Sequence, residues 1–360
     1  MMYLNHNNYR NTCSLSPSKV IISGEYSALY GGAAITVAVA RYTKVYILQS
    51  SDSTNISKKL DPVINVNFIN LCYKSSVRLS DLYSICSIID ERYNRFLKSE
   101  LCIDMVLETD CQFCQYIIGS FLKYHNLNLE CNIDIVIDSE IVMKSGMGSS
   151  ASLILGVVYS LYGFFDITIN KNQICNLSRK IEDLKHGISS GLDIRSIIHG
   201  GYIKIENNQI YERNSYDIIK NILIINTGMS YNTTGEAVDF VNRNFSSVEF
   251  IWQDFANVTR LIDYSIVNNN LKDLLLYLKL NHKLLVNLGV VPDKVKNFIS
   301  DIEARGGAAK ISGSGAIRGV GAGIVLVISN VDISDLVTKY QYRYYLSNII
   351  VAKGVYNFTA

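Results

Sequence analysis

"KSGMGSSASLILGVV", residues 144–158, sets glycines and serines directly before a run with the length and apolarity of a buried helix. Just upstream, "NIDIVIDSEI" (132–141) alternates in the manner of a strand, and Ser149 to Phe164 is predicted to be helical. A strand, a glycine turn and a helix start together leave backbone N–H groups without internal partners. Those donors and the positive end of the helix dipole, roughly half a charge, make a site for an anion. Glycine lets the backbone approach phosphate oxygens, and serine hydroxyls can bond phosphate or help hold a metal ion. The same residues also suit a serine-capped helix after a tight turn, so both readings stand on this stretch alone.

Two familiar phosphate motifs bear on the choice. GxxxxGK[ST] is absent, because no lysine follows these glycines. Gly146, Gly148 and Ala151 fit GxGxxA, but that fingerprint belongs in the first turn of a parallel βαβ unit with an acid about 20 residues on. Here it lies well inside the chain with no such strand and acid behind it, which argues against a dehydrogenase.

Working outward, "AAITVAVARYTKVYIL" (33–48) reads as one or two strands, and "VINVNFINL" and "SSVRL" as short ones. Helical spacing marks 81–98 and 111–127, and a polar-faced helix over 170–187 ends at Gly187. After Gly200-Gly201 and a strand, "NILIINTGMS" (221–230) opens a second unit with long helices in 234–287. A last strand pair flanks "KISGSGAIRGVGAGIVLVI" (310–328). The chain is therefore expected to be α+β, with a first domain over 1–205 carrying the glycine loop and a second over 206–360.

Composition narrows the function classes. The 360 residues are 48% hydrophobic and 18% charged, enough apolar material for a sizeable interior and too much for disorder. A net charge of +2 gives no electrostatic case for nucleic acid or a membrane surface. The start is polar, without a secretory signal, and the longest weakly polar window, Gly31 to Ala40, is too short to span a bilayer. Eight scattered cysteines, with Cys111 and Cys114 the one CxxC, suggest reduced thiols in a cytoplasmic protein and neither a disulfide scaffold nor a zinc site.

Three segments in order, "SPSKVIISGEYSALYGG" (16–32), "KSGMGSSASL" (144–153) and the glycine-rich 310–328, resemble the GHMP kinases, the superfamily of galactokinase and of homoserine, mevalonate and phosphomevalonate kinases. "IEDLKHGISSGLDIRSIIHGG" (181–201) and "NTGMSYNTTGEAV" (226–238) extend the match, and within the superfamily it looks most like the mevalonate kinases. The resemblance implies a two-domain fold, with a ribosomal protein S5 domain 2-like first domain and a ferredoxin-like α/β second one. It also implies ATP, Mg²⁺ and a small-molecule alcohol, mevalonate or a relative, as partners, with a homodimer as one candidate assembly.

Carried over by position, Lys19 matches the lysine beside the phosphoryl acceptor and Asp193 the catalytic aspartate. Lys144, Ser145, Gly146, Met147, Gly148, Ser149, Ser150 and Ala151 form the ATP loop, with Ser149 and Ser150 reaching the metal. Glu182, eleven residues before Asp193, matches the metal-binding glutamate. Glu25, Tyr26 and Thr233 fall on the substrate side, and Gly313, Ser314 and Gly315 support the site. Tyr26 stands where mevalonate kinases have histidine, and Gly-Glu-Tyr is more like bacterial phosphomevalonate kinases. Ser18 replaces a glycine or alanine, and Ile317 and Arg318 interrupt the third glycine run.

The chemistry gives each of these residues a task. Phosphoryl transfer to an alcohol asks for positioning and charge neutralisation. Asp193 would accept the hydroxyl proton, and Lys19 would stabilise negative charge beside it. Each residue also has a plainer reading. Glu182 could be a solvated helix residue, Asp193 or Thr233 a helix cap, Lys19 a surface lysine and Glu25 part of an exposed turn. The glycines from 313 on could merely shape a turn. His186 and His199 lack partners at zinc spacing and read as structural. A phosphomevalonate kinase, and a catalytically silent binding protein on the same scaffold, remain the competing functions.

Overall fold

The computed structural model describes residues 11–50, 61–214 and 217–359. In chain order the strands are β1 (Thr12–Ser23), β2 (Ala34–Gln49), β3 (Val63–Phe68), β4 (Tyr73–Arg78), β5 (Ile133–Ser139), β6 (Tyr202–Glu206), β7 (Gln209–Arg213), β8 (Leu223–Asn226), β9 (Ala308–Ile311), β10 (Ile324–Ile328), β11 (Arg343–Leu346) and β12 (Tyr356–Thr359). The helices are α1 (Leu79–Leu97), α2 (Asp110–His125), α3 (Ser149–Phe164), α4 (Lys171–His186), α5 (Leu192–His199), α6 (Asp217–Lys220), α7 (Thr234–Phe245), α8 (Glu249–Val267), α9 (Leu271–Asn287), α10 (Asp293–Ala304) and α11 (Ser334–Lys339).

β1 is buried along nearly its whole length and β2 over its first six residues, as a central pair of strands requires, after which β2 alternates between buried and half-buried positions. They pair antiparallel along their lengths, with shifts at Pro17/Ser18 and Ile21/Ser23. The segment from 33 to 48 is thus a single strand. The larger sheet runs β12-β1-β2-β5-β3-β4, with β6 on the far half of β2 and β7 on β6. Only the β3–β5 contact in it is parallel among the described residues. The smaller sheet runs β11-β8-β10-β9, all antiparallel.

α3 is apolar almost all round, as a helix inside a core must be. It lies against β1 and β2 with Ile154, Leu155, Val157 and Val158 fully buried. Gly156 permits the approach, since a Cβ there would come within 2.8 Å of Val45. This packing fixes the N-terminus of α3 at the edge of the larger sheet. Hydrogen bonds then tie the loop before it to both sheets, and the sheets to each other. Lys19 N–H donates to the Met147 carbonyl at 3.0 Å, and Ile324 N–H to the Ser145 carbonyl at 3.0 Å. Ile21 N–H donates to Ser312 Oγ at 2.8 Å. The mixed architecture is the α+β one expected. Among the described residues no helix is long and apolar enough to cross a membrane.

Candidate active site

The glycine loop turns between β5 and α3 on three left-handed residues, Lys144 at φ +55°, Gly146 at φ +85° and Gly148 at φ +72°. Gly148 is the N-cap of α3 and no side chain caps that end. Sterics demand both glycines. A Cβ on Gly146 would sit 2.5 Å from the Ser312 carbonyl oxygen, and one on Gly148 would sit 3.0 Å from the Lys19 side chain. Met147 and Ala151 point into the core, so these two contribute backbone alone. Ser145 is buried and spends its hydroxyl on the Val142 carbonyl. Lys144 is exposed, while Ser149 and Ser150 line the cleft.

Lys19, only 2% exposed, leaves β1 toward this loop. Its Nζ lies 2.9 Å from Asp193 Oδ1 and donates to the Gly146 carbonyl at 3.1 Å. Asp193 stands in the first turn of α5, whose N-cap is Gly191 at φ +69°. The turn 187–191 folds α5 back on α4, which brings Glu182 to the same place. Glu182 is 3% exposed and accepts a hydrogen bond from the Ser189 hydroxyl. Burial first, and then the negative Asp193, push Glu182 up to about 8, with Ser189 and Lys19 offsetting part of this. His186, at the end of α4, faces Ser150, its Nε2 3.0 Å from Ser150 Oγ. Burial, aided by Lys185, pushes it down to about 4, so the ring is neutral at pH 7.

The cleft encloses about 450 Å³ and takes in Lys19, Glu182, Asp193, loop residues 143–146 and 148–150, and the turn at 312–315. Glu25 also lines it, but its carboxylate is 1% exposed and ion-paired with Lys310 of β9. Tyr26 is buried, and its hydroxyl donates to the Ser314 carbonyl at 2.5 Å. Burial beside Glu25 pushes that hydroxyl far up. Thr233 lines the cleft while capping α7. Its Oγ1 accepts from Glu236 N–H at 3.2 Å, and Glu236 returns the bond to Thr233 N–H at 2.8 Å. Gly313 comes close to the loop, for its Cβ would lie 3.1 Å from Gly146 Cα.

Sequence reasoning passed over Lys310, Ser189 and Ser312, and set His186 aside as structural. For Lys310 a signal existed. "AAKI" is a strand otherwise made of residues that belong inside, and a lysine in it must find a counter-charge.

The donor set suits a hard cation. A carboxylate pushed up by burial first and then by acidic Asp193 marks a place short of positive charge, and hydroxyls of Ser149 and Ser150 line the same cleft. Among the described residues no group of three or more His, Cys, Asp or Glu side chains could hold a metal by itself.

Comparison with known proteins follows the same line. Residues 114–201 match the GHMP kinases N terminal domain. The chain is 25% identical over 319 residues to the mevalonate kinase of Methanocaldococcus jannaschii, spanning 88% of this chain and 91% of that one. The crystal structure of the Methanococcus jannaschii mevalonate kinase superposes with a TM-score of 0.71 at 23% identity, covering 98% of both chains. Lactococcus lactis galactokinase gives 0.72 at 16% identity, over 96% of this chain and 95% of that one. At such identities the two structures speak for the fold.

Proposed function

We propose that the chain is a kinase of the GHMP superfamily and that it transfers the γ-phosphoryl group of ATP to the primary hydroxyl of mevalonate. The observation that carries this reading is the Lys19–Asp193 pair, 2.9 Å apart, beside the uncapped start of α3. The N–H groups of the glycine loop and the α3 dipole receive the nucleotide phosphates. Glu182 and the hydroxyls of Ser149 and Ser150 hold Mg²⁺, which when bound offsets the charge of the β- and γ-phosphates. Asp193 takes the acceptor's O–H proton through the oxygen that Lys19 leaves free, as the alcohol oxygen forms its new bond to phosphorus. Lys19, fixed by Asp193 and the Gly146 carbonyl, stabilises the negative charge that develops on that oxygen.

The charge of the cleft favours mevalonate over its 5-phosphate. Among the described lining residues the cations are Lys19, Lys144 and Lys185, and the last two stand on the glycine-loop and α4 side. Leu29, Val238, Thr233 and Thr234 also line the cleft and offer no lysine or arginine to a second phosphate.

A panel of mevalonate, mevalonate 5-phosphate, homoserine and galactose with MgATP, read by ADP release, tests the assignment. Mevalonate should turn over best. Preference for the 5-phosphate would move the acceptor, and ATP binding without turnover of any alcohol would favour a silent binding protein. Asp193→Asn should lower kcat by roughly 10²–10⁴, the span for a lost general base. Near-normal turnover in that variant would remove Asp193 from the role.

A further inference from the structure

We infer that Lys310 is a positioning residue of the acceptor site, holding the Glu25 carboxylate so that its second oxygen accepts a hydrogen bond from a substrate hydroxyl other than the one phosphorylated. The inference rests on the proposed alcohol acceptor and on Glu25 facing it.

Lys310 lies in β9, where all four residues are buried, and its side chain is fully enclosed. Its ammonium meets Glu25 Oε1, with the Ile21 carbonyl farther off at 3.5 Å. Glu25 Oε2 is buried with no hydrogen-bond partner, in a residue that lines the cleft. The turn that presents it is specified by Gly24 at φ +97°, where a Cβ would come within 2.4 Å of the Ala33 carbonyl. Glu25 and Lys310 belong to segments 285 residues apart, one leaving the larger sheet and one inside the smaller.

Stability does not account for such a pair. Replacing a buried ion pair with apolar residues of similar volume is often neutral or stabilising, because desolvation consumes most of the Coulomb gain. The pair does have a chemical consequence. The Lys310 ammonium takes one carboxylate oxygen, Oε1, and so fixes where the other one, Oε2, points. The oxygen left over, buried and without a partner, matches an O–H on the substrate. His282 contributes no competing charge, since burial and then Lys310 hold it neutral at pH 7. In mevalonate the hydroxyl available to Glu25 is the tertiary one.

The test uses the full chain with MgATP and two acceptors, mevalonate and 5-hydroxy-3-methylpentanoate, which lacks the tertiary hydroxyl. The wild type should favour mevalonate in kcat/KM by about 10- to 100-fold, the worth of one hydrogen bond to a charged group. Both Lys310→Met and Glu25→Gln should collapse that ratio by about tenfold or more while the KM for ATP moves less than about threefold. A merely structural lesion would slow both acceptors alike and leave the ratio intact. If Lys310→Met does not fold, Lys310→Gln, which keeps an N–H toward Glu25 without the charge, supplies the same ratio. A ratio unchanged at position 310 but collapsed by Glu25→Gln overturns the inference and leaves Glu25 in the site. A ratio unchanged by Glu25→Gln removes both. Absence of turnover with mevalonate in the wild type would overturn the proposed acceptor, and this inference with it.

Discussion

Alanine at Gly146 and alanine at Gly148 should fail in different ways, although the two glycines are two positions apart in one loop. Both have positive φ, which costs an L-residue roughly 1–2 kcal/mol. At Gly146 the new Cβ would lie 2.5 Å from the Ser312 carbonyl oxygen and 3.5 Å from its carbon. Backbone meets backbone there, so the loop and the turn before β10 must part. Overpacking of this kind adds roughly 1–3 kcal/mol. Gly146→Ala should therefore lose roughly 2–5 kcal/mol, a large share of the roughly 5–15 kcal/mol of an ordinary domain.

At Gly148 the contact is with Lys19 Cγ and Cε at 3.0 Å and Asp193 Oδ2 at 3.5 Å. A side chain can yield, so the loss of stability should stay near the backbone term of roughly 1–2 kcal/mol. The ammonium cannot yield without leaving Asp193 or the Gly146 carbonyl, to which it is held at 2.9 and 3.1 Å. A displacement of about 1 Å at a reacting centre costs roughly 10²-fold. Gly148→Ala should thus keep most of its stability and lose about two decades of kcat. Urea unfolding with m held constant, followed by steady-state rates on protein that is fully folded, separates the two quantities. If Gly148→Ala lost as much stability as Gly146→Ala but kept kcat within about threefold, the loop would not be what places Lys19.

The parts of the molecule that sequence revealed are those whose determinants are local. Helix α3 spans Ser149–Phe164, the predicted limits, because an apolar run after a glycine can do little else. Helix α4 stops at Gly187, the residue that could take φ +87°. Contacts between remote segments left no such trace. The pairing of β12 with β1, and the bond from Ile21 to Ser312 across 291 positions, depend on how whole sheets meet. His186 was weighed against zinc spacing, while its partner is a loop serine 36 residues earlier. Thr233 shows that the plain reading and the functional one can coexist, since it caps α7 and lines the cleft at once. For Glu182, Asp193, Lys19 and Glu25 the solvent-facing alternatives lose to geometry. Three of these side chains are at most 3% exposed, and Asp193, at 27%, is engaged by Lys19 and is not the residue that caps its helix.

Two further outcomes follow from buried titratable groups. In chelator-treated, nucleotide-free protein, Glu182 binds its proton more tightly folded, at about 8, than at its ordinary 4.5. Its favourable contribution is complete below the lower value and fades as pH rises toward the upper one. Glu182→Gln should therefore gain stability over the wild type between pH 5 and 8, by a few kcal/mol at most, while losing Mg²⁺-dependent activity. Urea melts at the two pH values check this, and an advantage that did not grow with pH would contradict it. His282 has the opposite sign. It is held neutral, with its value depressed from 6.5 to about 4, chiefly by burial in α9 and also by Lys310. Its contribution is therefore complete above pH 6.5 and disappears as pH falls through about 4, a loss of up to about 3 kcal/mol. His282→Gln should flatten the acid limb of the stability curve without removing it, because His186 is depressed in the same way and must also be charged on acid unfolding. An acid limb of the same slope in His282→Gln and wild type would mean that protonation of His282 does not drive acid unfolding.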